Sequence, residues 1–228
     1  MHTPLRIGHR GAPVQAPENT LASFAKAIEF GVDMIELDVH VCKTGEVVVM
    51  HDDTVDRTTN GKGRIADMTL DELKALDAGK GERIPTLEEV FNLVDKRVQI
   101  IIELKENAAI EPTMALIGRC ISKEGWTNEH FMLSSFDHYM LRQCKELMPD
   151  VRLGAILAGV PIGYAEFGEQ LGAYSVNMAY PFLNKEFIDD AHRRGLRVFA
   201  WPVDEPTDIE HMKALGVDGI ISNVPDRI

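Results

Sequence analysis

Short apolar runs recur along this chain at intervals that leave room for a helix between them, and that rhythm restricts the fold more than any other feature. The runs fall at 5–8, 34–39, 47–51, 98–104, 131–134, 152–157, 174–178, 197–201 and 219–222. Segments of helical period separate most of them, which is the pattern of parallel βα units. Asn19 or Thr20 can cap a helix that puts Leu21, Phe24, Ala25 and Ile28 on one face, with Gly31 as its stop. Thr69 with Glu72, and Thr86 with Glu89, have capping-box spacing, and Asp137 precedes the stripe Met140, Leu141, Cys144 and Met148. Such stripes are core faces. A short recurrence, Gly31-Val32-Asp33-Met34-Ile35 and Gly216-Val217-Asp218-Gly219-Ile220, predicts the same αβ turn twice.

At 228 residues, and with roughly 100–200 residues per domain, a repeated βα chain closes most naturally as one TIM (β/α)8 barrel spanning 1–228. Nine runs are one too many. The surplus one is either 47–51, which follows its predecessor too closely for a crossover helix, or the last. Residues 52–85 break the rhythm with a polar, glycine-bearing stretch that holds one short helix. It reads as a lid-like insertion over the barrel mouth, after the third run; the competing reading is a mobile surface excursion.

The charge balance limits partners. With 24 basic and 36 acidic residues the net charge is −12, which disfavours nucleic acid and anionic lipid, so an anionic ligand must be held locally. Cys42, Cys120 and Cys144 form no CxxC pair and are odd in number, as expected of reduced, partly buried thiols. No apolar stretch approaches the length of a membrane span, and the N-terminal segment lacks an apolar signal-peptide centre. The expectation is a cytoplasmic protein without stable membrane anchoring; its oligomeric state stays open.

Strand alternation locates the chemistry. In 34–39 the carboxylates of Glu36 and Asp38 share one face while Ile35, Leu37 and Val39 take the other. The apolar face packs on helices, so the acids point into the barrel near the C-terminal end of the strand, where such barrels keep their active sites. By the same arithmetic Glu103 and Lys105 point inward together. Interior charges are costly unless paired or metal-bound. One lysine cannot neutralise three acids, so Glu36, Asp38 and Glu103 are candidate ligands of a divalent cation, and carboxylates without thiolates favour Mg²⁺ or Ca²⁺. The competing reading is a salt-bridge network centred on Lys105. His9 and His51 end two of the runs at the same rim, and a pair of imidazoles can act as base and acid in one turnover. Arg10 suits bidentate phosphate binding, and Lys105 adds a second cation. Together these parts fit hydrolysis of a phosphodiester. His2, His40, His130, His138, His192 and His211 lack such company and read as structural.

These residues resemble the glycerophosphodiester phosphodiesterase family nearly end to end. The likeness is carried by His9-Arg10-Gly11, Pro17-Glu18-Asn19-Thr20, Glu36-Leu37-Asp38, Gly45-Glu46-Val47-Val48-Val49-Met50-His51-Asp52, Arg57-Thr58-Thr59-Asn60-Gly61, Pro85-Thr86-Leu87, Glu103-Leu104-Lys105, Ser134-Ser135-Phe136 and the second glycine turn. It implies a TIM barrel and hydrolysis of deacylated phospholipids to sn-glycerol 3-phosphate and an alcohol. It further implies that His9 and His51 are the acid–base pair, that Glu36, Asp38 and Glu103 hold the cation, and that Arg10 and Lys105 contact phosphate. Glu18 and Asn19 match positions that support the site, and Trp201 is a further candidate substrate contact. The family's habit favours His9 as base; the residues alone leave that open, along with the choice between water and a glycerol hydroxyl as attacking group. Two departures stand near the C-terminus, where Trp201-Pro202-Val203-Asp204 replaces Trp-Thr-Val-Asn and Ser222-Asn223-Val224-Pro225 replaces Thr-Asp-x-Pro. They are expected to alter contacts to the glycerol or alcohol and to leave the phosphate site intact.

Two other functions compete. A lipid phosphodiesterase of phospholipase-C or sphingomyelinase-D type uses a similar histidine pair but works at membranes, where an exposed apolar or basic rim is expected. A non-catalytic glycerophosphodiester-binding barrel has no need of two proton-transfer groups.

Overall fold

Eight of the nine apolar runs close into a parallel barrel in this computed structural model, which describes residues 3–228. The barrel strands are β1 (Leu5–Gly8), β2 (Met34–Val41), β4 (Gln99–Leu104), β5 (Phe131–Ser135), β6 (Arg152–Leu157), β7 (Ser175–Ala179), β8 (Arg197–Trp201) and β9 (Gly219–Ser222). Neighbours pair in the order β1-β9-β8-β7-β6-β5-β4-β2, and β1 pairs with β2 to close the ring. The surplus strand is β3 (Val47–Val49), not the last one. Only a hairpin fits so short a connection, and β3 accordingly runs antiparallel to β2, with Val39, His40 and Val41 opposite Val49, Val48 and Val47. That hairpin extends β2 beyond its expected end at residue 39. Met50 and His51 continue past β3 outside any strand.

The outer ring consists of α1 (Leu21–Glu29), α3 (Leu87–Val94), α4 (Ile110–Lys123), α5 (His138–Leu147), α6 (Glu166–Leu171), α7 (Lys185–Arg193) and α8 (Pro206–Leu215). A short helix, α2 (Leu70–Ala75), sits in the excursion. Thr69 and Thr86 form complete capping boxes with Glu72 and Glu89, and the Asp137 carboxylate caps α5. Thr20, not Asn19, caps α1: its hydroxyl accepts from the Ser23 N–H, while Asn19 adopts φ +57° and turns its amide inward. The two predicted glycine turns are alike. Gly31 and Gly216 have φ of +72° and +89°, and the next residues, Val32 and Val217, donate to the carbonyls of Ala27 and Met212 five residues back.

Alternation along the strands sorts the two faces. Ile35, Leu37, Val39, Ile100, Ile102 and Leu104 face the helices in one large core, and a separate inner cluster of Ile7, Met34, Ile101, Met132, Phe199 and Ile221 fills the barrel's lower interior. Polar side chains stand above that floor. Residues 52–85 are packed against a small core of their own, built from Cys42, Val48, Met50, Val55, Ile65, Leu73, Ala78 and Ile84. The three cysteines are free and buried. No helix among the described residues is long and apolar enough to cross a membrane.

The inner floor has no slack at Gly219, where a Cβ would stand 2.7 Å from Phe199 Cδ1 and 3.0 Å from Ile7 Cδ1. Gly219→Ala should destabilise the barrel by about 1–3 kcal/mol, the usual range for overpacking. Chemical denaturation checks this, and an unchanged midpoint would mean that the floor repacks freely.

Candidate active site

Parallel register brings the acids together. Asp38 of β2 lies opposite Glu103 of β4, and Glu36 lies opposite Ile101. Since residues two apart share a face, Glu36, Asp38 and Glu103 form one inward cluster whose oxygens lie within 4.8 Å of one another. Lys105 Nζ reaches Glu103 Oε1 at 2.6 Å and Asp38 Oδ1 at 3.2 Å. Arg10, held at φ +53° just after β1, sets its Nε 3.4 Å from Asp38 Oδ2 and donates its backbone N–H to Glu36 Oε2 at 3.0 Å. The buried Asn19 amide donates to Asp38 Oδ2 at 2.9 Å.

The three acids therefore have unequal surroundings. Burial opposes the Asp38 charge, but Lys105 and Arg10 outweigh it and hold its carboxyl below the usual range. Burial and the Asp38 charge push Glu103 up, with Lys105 opposing. Glu36 is pushed up furthest, by burial and by both neighbouring acids, and among the described residues it has no side-chain cation within salt-bridge distance. The expected Lys105 network thus exists, but two cations against three buried acids leave Glu36 uncompensated. That shortfall, on an all-oxygen donor set within reach of one point, fits a hard divalent cation.

The two histidines are held differently. His9, in the turn after β1, places Nδ1 2.7 Å from the Asn223 Oδ1. Burial and the Arg10 charge lower its pKa, against the opposing pull of Asn223. His51 places Nδ1 2.6 Å from Asp52 Oδ1. Arg57 grips Asp52 through Nε and Nη2, at 2.7 and 3.0 Å, and its hydrogen bonds hold that carboxyl far below the usual range. Arg57 also forks onto Glu18 at 2.8 and 2.9 Å, and Glu18 in turn receives Arg10 Nη1 at 2.9 Å. The excursion after residue 51 is thereby tied to the residues after β1.

One cavity of about 280 Å³ is lined by His9, Arg10, Glu36, His51, Glu103, Lys105 and Trp201. Seven of the expected site residues therefore meet. Asp38 lies behind them, almost wholly buried. Glu18 and Asn19 do not line this cavity; they support Arg10 and Asp38 from behind and border a small adjoining hollow next to His51. The far wall is apolar, with Phe136, Ile156 and Pro202 beside Trp201, whose ring meets Phe136 edge-on at 5.6 Å. Ser134 and Asn177 supply polar atoms at its base, and the buried Ser134 Oγ has no hydrogen-bond partner among the described residues. Among the C-terminal departures, Pro202 follows the end of β8 and lines the cavity, and Asp204 and Asn223 stand behind His9. Asp52 and Arg57 belonged to quoted motifs without a role. Of the remaining histidines, His40 and His138 bond backbone carbonyls, His130 bonds Thr127 and His192 bonds Asp218; none lines the cavity, and His2 lies outside the described residues.

Residues 9–227 match the model of the glycerophosphoryl diester phosphodiesterase family. A glycerophosphodiester phosphodiesterase of Caldanaerobacter subterraneus subsp. tengcongensis is 40% identical over 232 residues, covering 98% of this chain and 96% of that protein. Among solved structures, an Oleispira antarctica phosphodiesterase in complex with the product sn-glycerol-3-phosphate superposes with a TM-score of 0.91 at 30% identity, over 99% of this chain and 95% of that one. The glycerophosphodiester phosphodiesterase of Thermotoga maritima gives 0.82 at 30% identity, over 99% and 97%.

The Arg57 fork generates a pH dependence. Arg57 depresses the carboxyls of both Asp52 and, against burial, Glu18. Carboxyls depressed on folding stabilise above their unfolded pKa of about 4 and lose that contribution as pH falls through the folded values. Wild type should therefore be more stable than Arg57→Leu at neutral pH, and the gap should narrow between about pH 5 and pH 2. Urea titrations across that range test it; a gap independent of pH would remove the carboxylates from the account.

Proposed function

The chain belongs to the glycerophosphoryl diester phosphodiesterase family, and from that premise we propose that it hydrolyses glycerophosphodiesters to sn-glycerol 3-phosphate and an alcohol. The observation that carries this reading is the convergence of two differently held histidines, two acids and two basic side chains on one cavity, with the third acid, Asp38, clustered directly behind them. The sn-glycerol-3-phosphate in the Oleispira relative supports the product.

Glu36, Asp38 and Glu103 are the residues that would hold a cation, Mg²⁺ or Ca²⁺. When bound, such an ion neutralises charge on the non-bridging phosphoryl oxygens and relieves the excess of buried acid. Arg10 and Lys105 serve the phosphate as well. Arg10 Nη1 donates to Glu18, its buried Nε lies 3.4 Å from Asp38 Oδ2 as an ion pair without a hydrogen bond, and Nη2 is the group placed to donate to phosphate; Lys105 keeps one of its three N–H groups beyond Glu103 and Asp38. His9 is the general base. Its pKa is held down by burial and Arg10, so the ring is neutral in the resting site and takes a proton from the attacking hydroxyl or water. His51, backed by an ionised carboxylate, is the general acid: it gives the proton on its second nitrogen to the departing alkoxide. The turnover leaves His9 protonated and His51 neutral, and exchange with solvent resets both. Residues 52–85 serve as a lid-like wall that holds His51 through Asp52 and Arg57. Phe136 and Trp201 supply an apolar face for the substrate's alcohol.

A second reading, a lipid phosphodiesterase, is favoured by one observation. Phe136 and the loops after β6 and β7 carry exposed apolar side chains, Val160, Ile162 and Phe182, at the same end of the barrel as the cavity. The assay that separates the two compares release of glycerol 3-phosphate from glycerophosphocholine with turnover of an intact phospholipid in vesicles. Preference for the intact lipid would replace the first reading by the second.

On glycerophosphocholine, His9→Ala and His51→Ala should each lower kcat by about 10²–10⁴-fold while leaving the fold intact. Near-full turnover by either would strip that residue of its role. Adding Mg²⁺ or Ca²⁺ at about 100 times its Kd should stabilise the wild type by about 2.7 kcal/mol. Glu36→Gln, which removes an uncompensated buried acid, should lose most of that increment without being less stable in the absence of cation. A wild type whose melting is indifferent to both ions would remove the metal site.

A further inference from the structure

A run of hydrogen bonds leads from His9 away from the cavity. His9 Nδ1 meets Asn223 Oδ1 at 2.7 Å, and Asn223 Nδ2 donates to Asp204 Oδ2 at 2.7 Å. The other oxygen of Asp204 accepts from the Asn223 backbone N–H at 2.7 Å and from the Ser222 hydroxyl at 2.9 Å. Barrel order makes this possible. Asp204 follows β8, Asn223 follows β9 and His9 follows β1, three neighbouring strands, and the His9 N–H is fixed to the Ser222 carbonyl at 2.9 Å.

The direction of each bond is forced by chemistry. A carboxylate only accepts, so the Asn223 atom beside Asp204 must be the amide nitrogen. The atom facing His9 is then the amide oxygen, which also only accepts, so His9 Nδ1 must bring the hydrogen. A neutral imidazole has a single N–H. Nε2 is left with its lone pair, and no described residue is bonded to it in a ring that lines the cavity. We propose that Asn223, locked by Asp204, is a positioning residue that selects the Nδ1–H tautomer of His9 and so presents an unprotonated Nε2 to the substrate.

The inference rests on the reading of His9 as the base. It also accounts for the different partners of the two rings. His51 is anchored by a full negative charge, whereas His9 is anchored by a neutral amide whose orientation a carboxylate fixes from one bond further away. The amide orients the ring without adding a full charge at the nitrogen.

Three variants test it. Asn223→Leu removes the acceptor at similar volume, Asn223→Asp combined with Asp204→Asn keeps an acceptor facing His9 and a donor behind it, and Asp204→Asn alone frees the amide to turn over. The readouts are kcat and KM on glycerophosphocholine at saturating cation, and the ring ¹⁵N shifts of His9 in histidine-labelled protein without substrate, assigned by loss of the signal in His9→Gln. The wild type should show protonated Nδ1 and unprotonated Nε2. Asn223→Leu should mix the tautomers and lose about 10–100-fold in kcat, the usual effect of removing such an orienting partner, with KM little changed. The exchanged pair, Asn223→Asp with Asp204→Asn, should restore the tautomer and most of the rate, and Asp204→Asn alone should fall between. A wild-type His9 protonated on Nε2, or an Asn223→Leu variant and an exchanged pair equally slow with wild-type spectra, would overturn the proposal. Because the spectrum needs no turnover, a wild type with the expected tautomer but no release of glycerol 3-phosphate would overturn the substrate reading alone.

Discussion

Three carboxylates share the inside of one barrel with two basic side chains, and the arrangement of the site follows from that imbalance. Charges in a low-dielectric interior must be compensated locally. Asp38 is: it takes Lys105, Arg10 and Asn19. Glu103 shares Lys105. Glu36 receives a backbone N–H and no more from the described residues. The strained left-handed backbone at Arg10 and Asn19 is the local consequence, since both residues turn inward from the β1–α1 connection to reach the acids.

The same connection links the interior charges to the excursion. Glu18 receives both Arg10 and Arg57, and Arg57 continues to Asp52 and from there to His51. The segment 52–85 has its own apolar core, so it presents Arg57 from a fixed platform. On the opposite side, the strand order β8-β9-β1 sets Asp204 and Asn223 behind His9. Each histidine thus takes its orientation from a different part of the chain. The apolar wall of Phe136, Ile156 and Trp201 completes the cavity from β5, β6 and β8 and continues outward into exposed apolar side chains.

Much of this was legible along the chain, for identifiable reasons. Strand alternation put Glu36, Asp38, Glu103 and Lys105 on the inner face because a two-residue period leaves no other choice once Ile35, Leu37, Ile102 and Leu104 must meet helices. Capping boxes at Thr69 and Thr86 were visible because their partners are three residues apart. The choice between Asn19 and Thr20 as cap was not, since it depends on Asn19 finding Asp38 across nineteen residues. Likewise the nine strands were readable, but which one stood outside the ring depended on pairing: β3 could only fold back on β2, and the last strand was needed between β8 and β1.

Local periodicity and short-range spacing, which act over a few residues, therefore determined the βα rhythm, the inward face of the acids and the helix starts. Pairings between distant side chains were decided only by the closed ring. Asn223 meets His9 across 214 positions and Arg57 meets Glu18 across 39. The amide behind one imidazole and the carboxylate behind the other distinguish two residues that look alike in the sequence. The physical reason is that a hydrogen bond depends on separation in space, and separation in space between remote residues is set by strand order and register, which no single segment of the chain contains.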